Sequence, residues 1–158
     1  MKKLVILLLT ICWTLMPVCA SAQQWTGTWA TATERPGDQD MPKTTTLSNH
    51  AVRQTVHVSL GGSVLRLQLS NTFSDEPVDI RSVYIADVVE GSAINAKTAC
   101  YLTFGGKKSI TIKGGQTAVS DAVAYSLQPL QRLSVTINYG ERTPRNATGH
   151  RGSRTTTY

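Results

Sequence analysis

Polar and apolar positions alternate with period two along much of this chain, most clearly over residues 53–71 (RQTVHVSLGGSVLRLQLSN). Val56, Val58 and Leu60 alternate with Thr55, His57 and Ser59. After Gly61-Gly62, Leu65, Leu67 and Leu69 alternate with Arg66, Gln68 and Ser70. A period of two gives an extended strand one buried face and one wet face. Gly-Gly between the two runs offers the positive φ angles of a tight turn, so the stretch reads as a β-hairpin. A lone hairpin is not stable in water, and other strands must cover its apolar face.

Candidates for those strands lie on both sides. Upstream, residues 25–33 (WTGTWATAT) are rich in aromatic and β-branched types and read as a first strand. Residues 34–43 (ERPGDQDMPK) read as a loop. Downstream, Val78 and Ile80, then Val83, Ile85 and Val88, continue the extended pattern. Residues 101–112 read as a second hairpin about Gly105-Gly106. Gly114-Gly115 marks a further turn, and 119–127 and 133–139 are strands separated by Gln128-Pro129. No run shows the i, i+3, i+4 spacing of a long helix. Short strands broken by glycine and proline predict an all-β fold, an antiparallel β-sandwich of jelly-roll-like form.

The N-terminus departs from this pattern. Lys2-Lys3, an apolar run over 4–16 and then Ala20-Ser21-Ala22 have the order of a secretory signal peptide. The apolar run is shorter than the ~20 residues of a spanning helix. Cleavage is expected after Ala22, with export to the periplasm or the medium. The remainder is enough for one domain and too short for two, read as a β-domain over 23–140 and a basic tail over 141–158. Cys12 and Cys19 leave with the signal, so Cys100 is the only cysteine of the exported chain and no disulfide framework exists. Beside Tyr101 and Leu102, Cys100 reads as a small buried hydrophobe.

The formal charge of +6 drops by two once Lys2 and Lys3 are removed. Arg142, Arg145, Arg151 and Arg154 crowd into the tail with Glu141 alone opposing them. Few aromatics accompany them, which argues against a nucleic-acid partner and for a solvated or interdomain segment. No membrane partner is expected after signal cleavage.

Chemistry-bearing residues are sparse. No Gly-x-Ser-x-Gly elbow occurs. Ser63, Ser92 and Ser153 follow glycines, as turn composition explains. His50, His57 and His150 lack zinc-site spacing, and Asp38 with Asp40 lacks the further ligands of a calcium loop. No metal, cofactor or catalytic residue is therefore assigned. Trp25 and Trp29 would share a face of an extended strand. They are the candidate ligand-binding residues, a stacking platform for sugar rings if exposed and a plug for the core if buried. Asn146-Ala-Thr148 fits the glycosylation pattern.

Taken in order, these segments resemble the start of secreted bacterial SGNH (GDSL-type) hydrolases. The resemblance rests on Trp25-Thr-Gly-Thr-Trp29, on residues 47–62 with Arg53, His57 and Gly61-Gly62, and on Leu65 through Asn71-Thr-Phe73. It continues through Leu102-Thr-Phe-Gly-Gly-Lys107, Ser120-Asp121 and Thr148-Gly149-His150 to Tyr158. It is nearest to the arylesterase or acylhydrolase-like subgroup associated with plant-polysaccharide degradation. The resemblance implies an accessory β-sandwich placed ahead of an SGNH hydrolase domain in cis, with polysaccharide as a further partner. The Gly-Asp-Ser and Asp-x-x-His blocks that carry catalysis in that family are not in this sequence, so no esterase activity is expected of the chain by itself. Its last residue falls about where a linker to the hydrolase domain is expected. A stand-alone carbohydrate-binding module is the alternative.

Overall fold

The computed structural model describes residues 24–40 and 46–158. The expected signal peptide and residues 41–43 of the expected loop lie outside that description. Among the described residues the fold is all-β and antiparallel, with helical structure confined to three three-residue turns. The strands are β1 (Ala51–His57), β2 (Gly62–Leu65), β3 (Gln68–Ser70), β4 (Val78–Glu90), β5 (Ala93–Ile94), β6 (Cys100–Leu102), β7 (Ile110–Ile112), β8 (Thr117–Val119), β9 (Val123–Leu127), β10 (Arg132–Tyr139) and β11 (Thr156–Thr157).

The large sheet runs β11-β1-β10-β4, and β4 then carries β7, β6 and β5 in series along its far edge. The apolar pattern of β4 changes phase, Val78 and Ile80 being buried and then Val83 and Ile85. A bulge reconciles the two halves. Ile80 pairs with Tyr139 and Ser82 with Asn138, so Arg81 is the extra residue and both apolar pairs face the same side.

A ribbon supplies the other part of the core. β2 pairs with β9, and β3 with β8. Where the two ladders break, Ser120 N–H donates to the Leu67 carbonyl at 2.8 Å and Leu67 N–H donates to the Ser120 hydroxyl at 3.0 Å. Tyr125 and Leu127 of the ribbon join Val56, Ile80, Val83, Ile85, Leu102, Leu133 and Val135 in one cluster, with Leu65, Leu67 and Leu69 packed against it.

Three expected elements differ. Residues 53–71 do not form a hairpin: β1 pairs with β10 and β11, and β2 pairs with β9. Gly61 is not among the glycines with positive φ. A Cβ there would lie 2.6 Å from the Leu127 carbonyl oxygen and 2.8 Å from Pro129 Cδ, so this glycine permits a close crossing rather than a turn. Residues 101–112 do contain a Gly-Gly turn, with φ of 59° and 78°, bridging Phe104 to Lys107. The strands beside it nevertheless pair with β4 and not with each other. Residues 25–33 form no strand, because Thr28 bonds laterally. Its hydroxyl accepts from Leu60 N–H, and its carbonyl accepts from Ser59 N–H and Oγ.

The basic segment 141–158 is tied to the sheet. Glu34 and Gly149 exchange backbone hydrogen bonds of 2.8 and 2.9 Å, and β11 adds an edge strand to β1. The segment expected as a solvated or interdomain tail thus carries a strand, followed by main-chain bonds between Arg53 and Tyr158 of 3.0 and 2.8 Å.

Candidate functional site

Alternation in β1, β10 and β4 sends apolar residues to the core and leaves the other face polar. On that face the register sets Arg53 beside Thr136, Thr136 beside Tyr84, and Tyr84 beside Tyr101. The four residues form a row across adjacent strands. Arg53 donates from Nε to the Thr136 hydroxyl at 2.9 Å, from Nη1 to the Ser92 carbonyl at 2.6 Å, and from Nη2 to the Tyr84 hydroxyl at 2.7 Å. Its guanidinium also lies 5.9 Å from the Tyr84 ring centroid. The Tyr84 and Tyr101 rings are 5.4 Å apart and tilted by 53°, and Lys108 Nζ stands 4.6 Å from the Tyr101 ring. Tyr101 is 48% exposed.

The row carries two cations, Arg53 and Lys108. Among the described residues neither Arg53 nor Lys108 forms an ion pair with a carboxylate. Each nitrogen of Arg53 donates once to a neutral acceptor, and a guanidinium has five N–H groups, so two remain. Two pairs along the same strands, Thr55 Oγ1 and Ser134 Oγ are buried with no hydrogen-bond partner.

The loop that carries Lys108 is braced from behind. Asp121 accepts from Thr103 Oγ1 at 2.6 Å, Gly105 N–H at 3.0 Å and Gly106 N–H at 2.8 Å. The Thr103 bond, then the two glycine N–H bonds, hold its carboxyl below the usual range, with a smaller contribution from the Arg66 charge. Arg66 also lies over the Trp25 ring at 4.5 Å.

The structure separates the two candidate tryptophans. Trp25 is 41% exposed under Arg66, whereas Trp29 is half-buried against the core with its ring edge-on to His150 at 6.2 Å. Their shared face presumed a strand that the segment does not form. Cys100 is half-buried and packs on the core. Asp40 accepts from Gly37 N–H and pairs with Arg151 at 2.9 Å. His57 Nε2 meets the Leu130 carbonyl at 2.6 Å, and His50 Nδ1 the Ser48 carbonyl at 2.7 Å.

His150 and Ser153, which the sequence presents separately, meet through a short helical turn with Nδ1 2.8 Å from the serine Oγ. The Gln54 amide nitrogen lies 3.2 Å from His150 Nε2. An amide N–H there makes Nε2 the acceptor, so Nδ1–H donates to the serine. That polarity is opposite to the one that activates a nucleophile.

Two shallow clefts lie among the described residues. One, of about 520 Å³, is lined by Asp87, Lys97, Cys100 and Tyr125 among others. Asp87 accepts there from the Tyr125 hydroxyl at 2.7 Å, and burial first, then this bond, pushes the phenol well above its ordinary range. The other, of about 500 Å³, includes Asp79, Arg81 and Lys107. No group of three metal-ligating side chains occurs among the described residues.

The chain matches no family model and no curated protein.

Proposed function

We propose that this chain is the non-catalytic N-terminal accessory domain of a secreted SGNH-type esterase acting on plant-polysaccharide esters, with the two layers arranged as a jelly-roll-like sandwich. It is exported through the signal at residues 1–22, cleaved after Ala22, and supports a hydrolase domain in cis. The observation that carries this reading is where the polar residues of the resemblance spend their hydrogen bonds. Asn71 donates to the Glu76, Ile112 and Lys113 carbonyls, Ser120 bonds Leu67, and Asp121 caps the Gly105-Gly106 turn. They hold loops in place; they do not converge on a reacting centre.

The test is the coding DNA past Tyr158, together with turnover of an activated acetyl ester by the purified chain. A downstream Gly-Asp-Ser block followed by an Asp-x-x-His pair, with an inactive isolated chain, supports the reading. A genuine stop followed by unrelated sequence, or turnover abolished by a serine-directed inhibitor, overturns it.

A second reading, a carbohydrate-binding module, is favoured by the exposure of Trp25 and Tyr101, which leaves aromatic surface for a sugar ring.

A further inference from the structure

We infer that the row Arg53, Tyr84, Tyr101 and Lys108 is a binding site for an acidic glycan, a chain of uronate sugars, whose carboxylates meet the two cations and whose ring stacks on Tyr101. The inference deepens the glycan-binding reading and rests on it. Three features carry it.

The first is unmatched charge held in a fixed place. A surface cation normally finds a carboxylate or moves freely in water; Arg142 and Arg151 of this chain are both paired with acids. Arg53 is half-buried and fixed by three neutral acceptors, and among the described residues it forms no ion pair. A guanidinium so held loses little side-chain entropy when an anion arrives, and its planar fork suits a carboxylate.

The second is the exposed aromatic at the Lys108 end of the row. Tyr101 is braced by Tyr84 and overlain by Lys108, an exposed side chain that an arriving carboxylate can draw from the ring. Sugar recognition combines an aromatic surface with placed polar groups. The backbones of Arg53 and Tyr101 are three strand spacings apart, roughly 14 Å, and the guanidinium reaches along the row to the Tyr84 hydroxyl, so the row runs beneath an extended ligand rather than around a small ion.

The third is the sparse aromatic content of the face. Single-stranded nucleic acid needs successive stacking platforms along a basic groove, and the row offers one exposed ring.

The experiment titrates the full chain, by calorimetry, with oligogalacturonate, a neutral xylo-oligosaccharide and a thymidine oligonucleotide. Oligogalacturonate should bind, weaken as salt rises, and lose roughly tenfold in affinity in Tyr101→Ala and in Lys108→Ala. Both side chains are exposed, so the variants should keep the parent's circular dichroism and melting temperature. Binding of the neutral sugar equal to that of the acidic one overturns the inference while leaving the glycan-binding reading intact. Absence of binding to either sugar overturns both. Oligonucleotide binding as tight as that of oligogalacturonate, or acidic-glycan binding unchanged in both variants, overturns the inference.

Discussion

A Cβ placed on Gly61 would lie 2.6 Å from the Leu127 carbonyl oxygen, closer than real side chains come to backbone atoms. The chain crosses here from the large sheet to the ribbon, beneath the turn that joins β9 to β10. Gly61→Ala therefore forces backbone apart and is expected to cost about 1–3 kcal/mol. Gly62 is the control, since a Cβ there meets nothing closer than 3.9 Å. Urea unfolding should give a lower midpoint for Gly61→Ala than for Gly62→Ala. Equal midpoints would show that the crossing is looser than described.

Gly61 also shows which parts of the fold could be read in advance. Alternation is a local property, so the β class and the inward residues Val56, Val58, Leu65, Leu67 and Leu69 were legible. Pairing is not local, and a glycine pair suits a turn and a close crossing alike. In β4 the phase change between Ile80 and Val83 was visible, but the bulge at Arg81 appears only against β10. The cationic row was hidden for the same reason. Arg53 and Tyr84 are 31 residues apart, and ladders that no sequence window contains bring them together. Trp25 and Trp29 drew attention by residue type and spacing, yet their shared face required a strand. Thr28 directs its bonds to Ser59 and Leu60 instead.

Leu130 has a φ of 61° and is 68% exposed. It follows Pro129 in a turn closed by Gln131 N–H donating to the Gln128 carbonyl at 3.3 Å. This is the type II position that favours glycine. A leucine side chain held there costs about 1–2 kcal/mol and is too exposed to recover much by packing. Leu130→Gly is expected to raise stability by about 0.5 kcal/mol, the relief of strain being partly offset by the freer unfolded chain. A lower melting temperature for the variant would show that the exposed leucine makes a stabilising contact that outweighs the strain.

Asp79 gives the acid side of the stability curve a specific origin. Arg142 donates to its two carboxylate oxygens at 2.8 Å each, and the Thr111 hydroxyl donates at 2.6 Å. These bonds, Arg142 first, bring its pKa from 3.8 to about 2. A carboxyl depressed on folding contributes stability that is fully present above the unfolded value and lost as pH falls from 3.8 through about 2. Arg142→Ala should move the Asp79 midpoint, followed by carboxyl-carbon NMR, back toward 3.8 and reduce the loss of stability across that window. An unchanged midpoint would place the cause elsewhere, with Thr111 the next candidate.

Asn71 is 2% exposed and joins segments that no ladder connects. Its amide nitrogen donates to the Glu76 carbonyl at 2.8 Å and to the Ile112 and Lys113 carbonyls at 3.2 Å each. Its own carbonyl accepts from Gly115 N–H at 3.0 Å, and its N–H donates to the Gln116 carbonyl at 2.8 Å. Two amide hydrogens serve three acceptors, so one bond is shared. In Asn71→Ala the backbone bonds persist, but the three carbonyls lose the amide donor and a small void opens beside Ile112; Glu76 keeps the Ser74 hydroxyl at 3.1 Å and Lys113 keeps the Gln116 N–H at 3.2 Å. The Ile112 carbonyl is the buried acceptor that goes short of this donor, at a cost of about 1–3 kcal/mol. Because the part-buried Glu76 and Lys113 carbonyls keep their other donors and lie near the exposed Asp75 and Gln116, a total loss of about 1–3 kcal/mol is expected. Asn71→Asp is the sharper comparison. It preserves volume while replacing the donor with an acceptor that faces three carbonyl oxygens, so it should be at least as destabilising as alanine at neutral pH and recover in part as the carboxyl is protonated. Chemical unfolding of both variants at neutral and acidic pH checks this. An aspartate variant more stable than alanine at neutral pH would mean that the amide donor contributes little at this site.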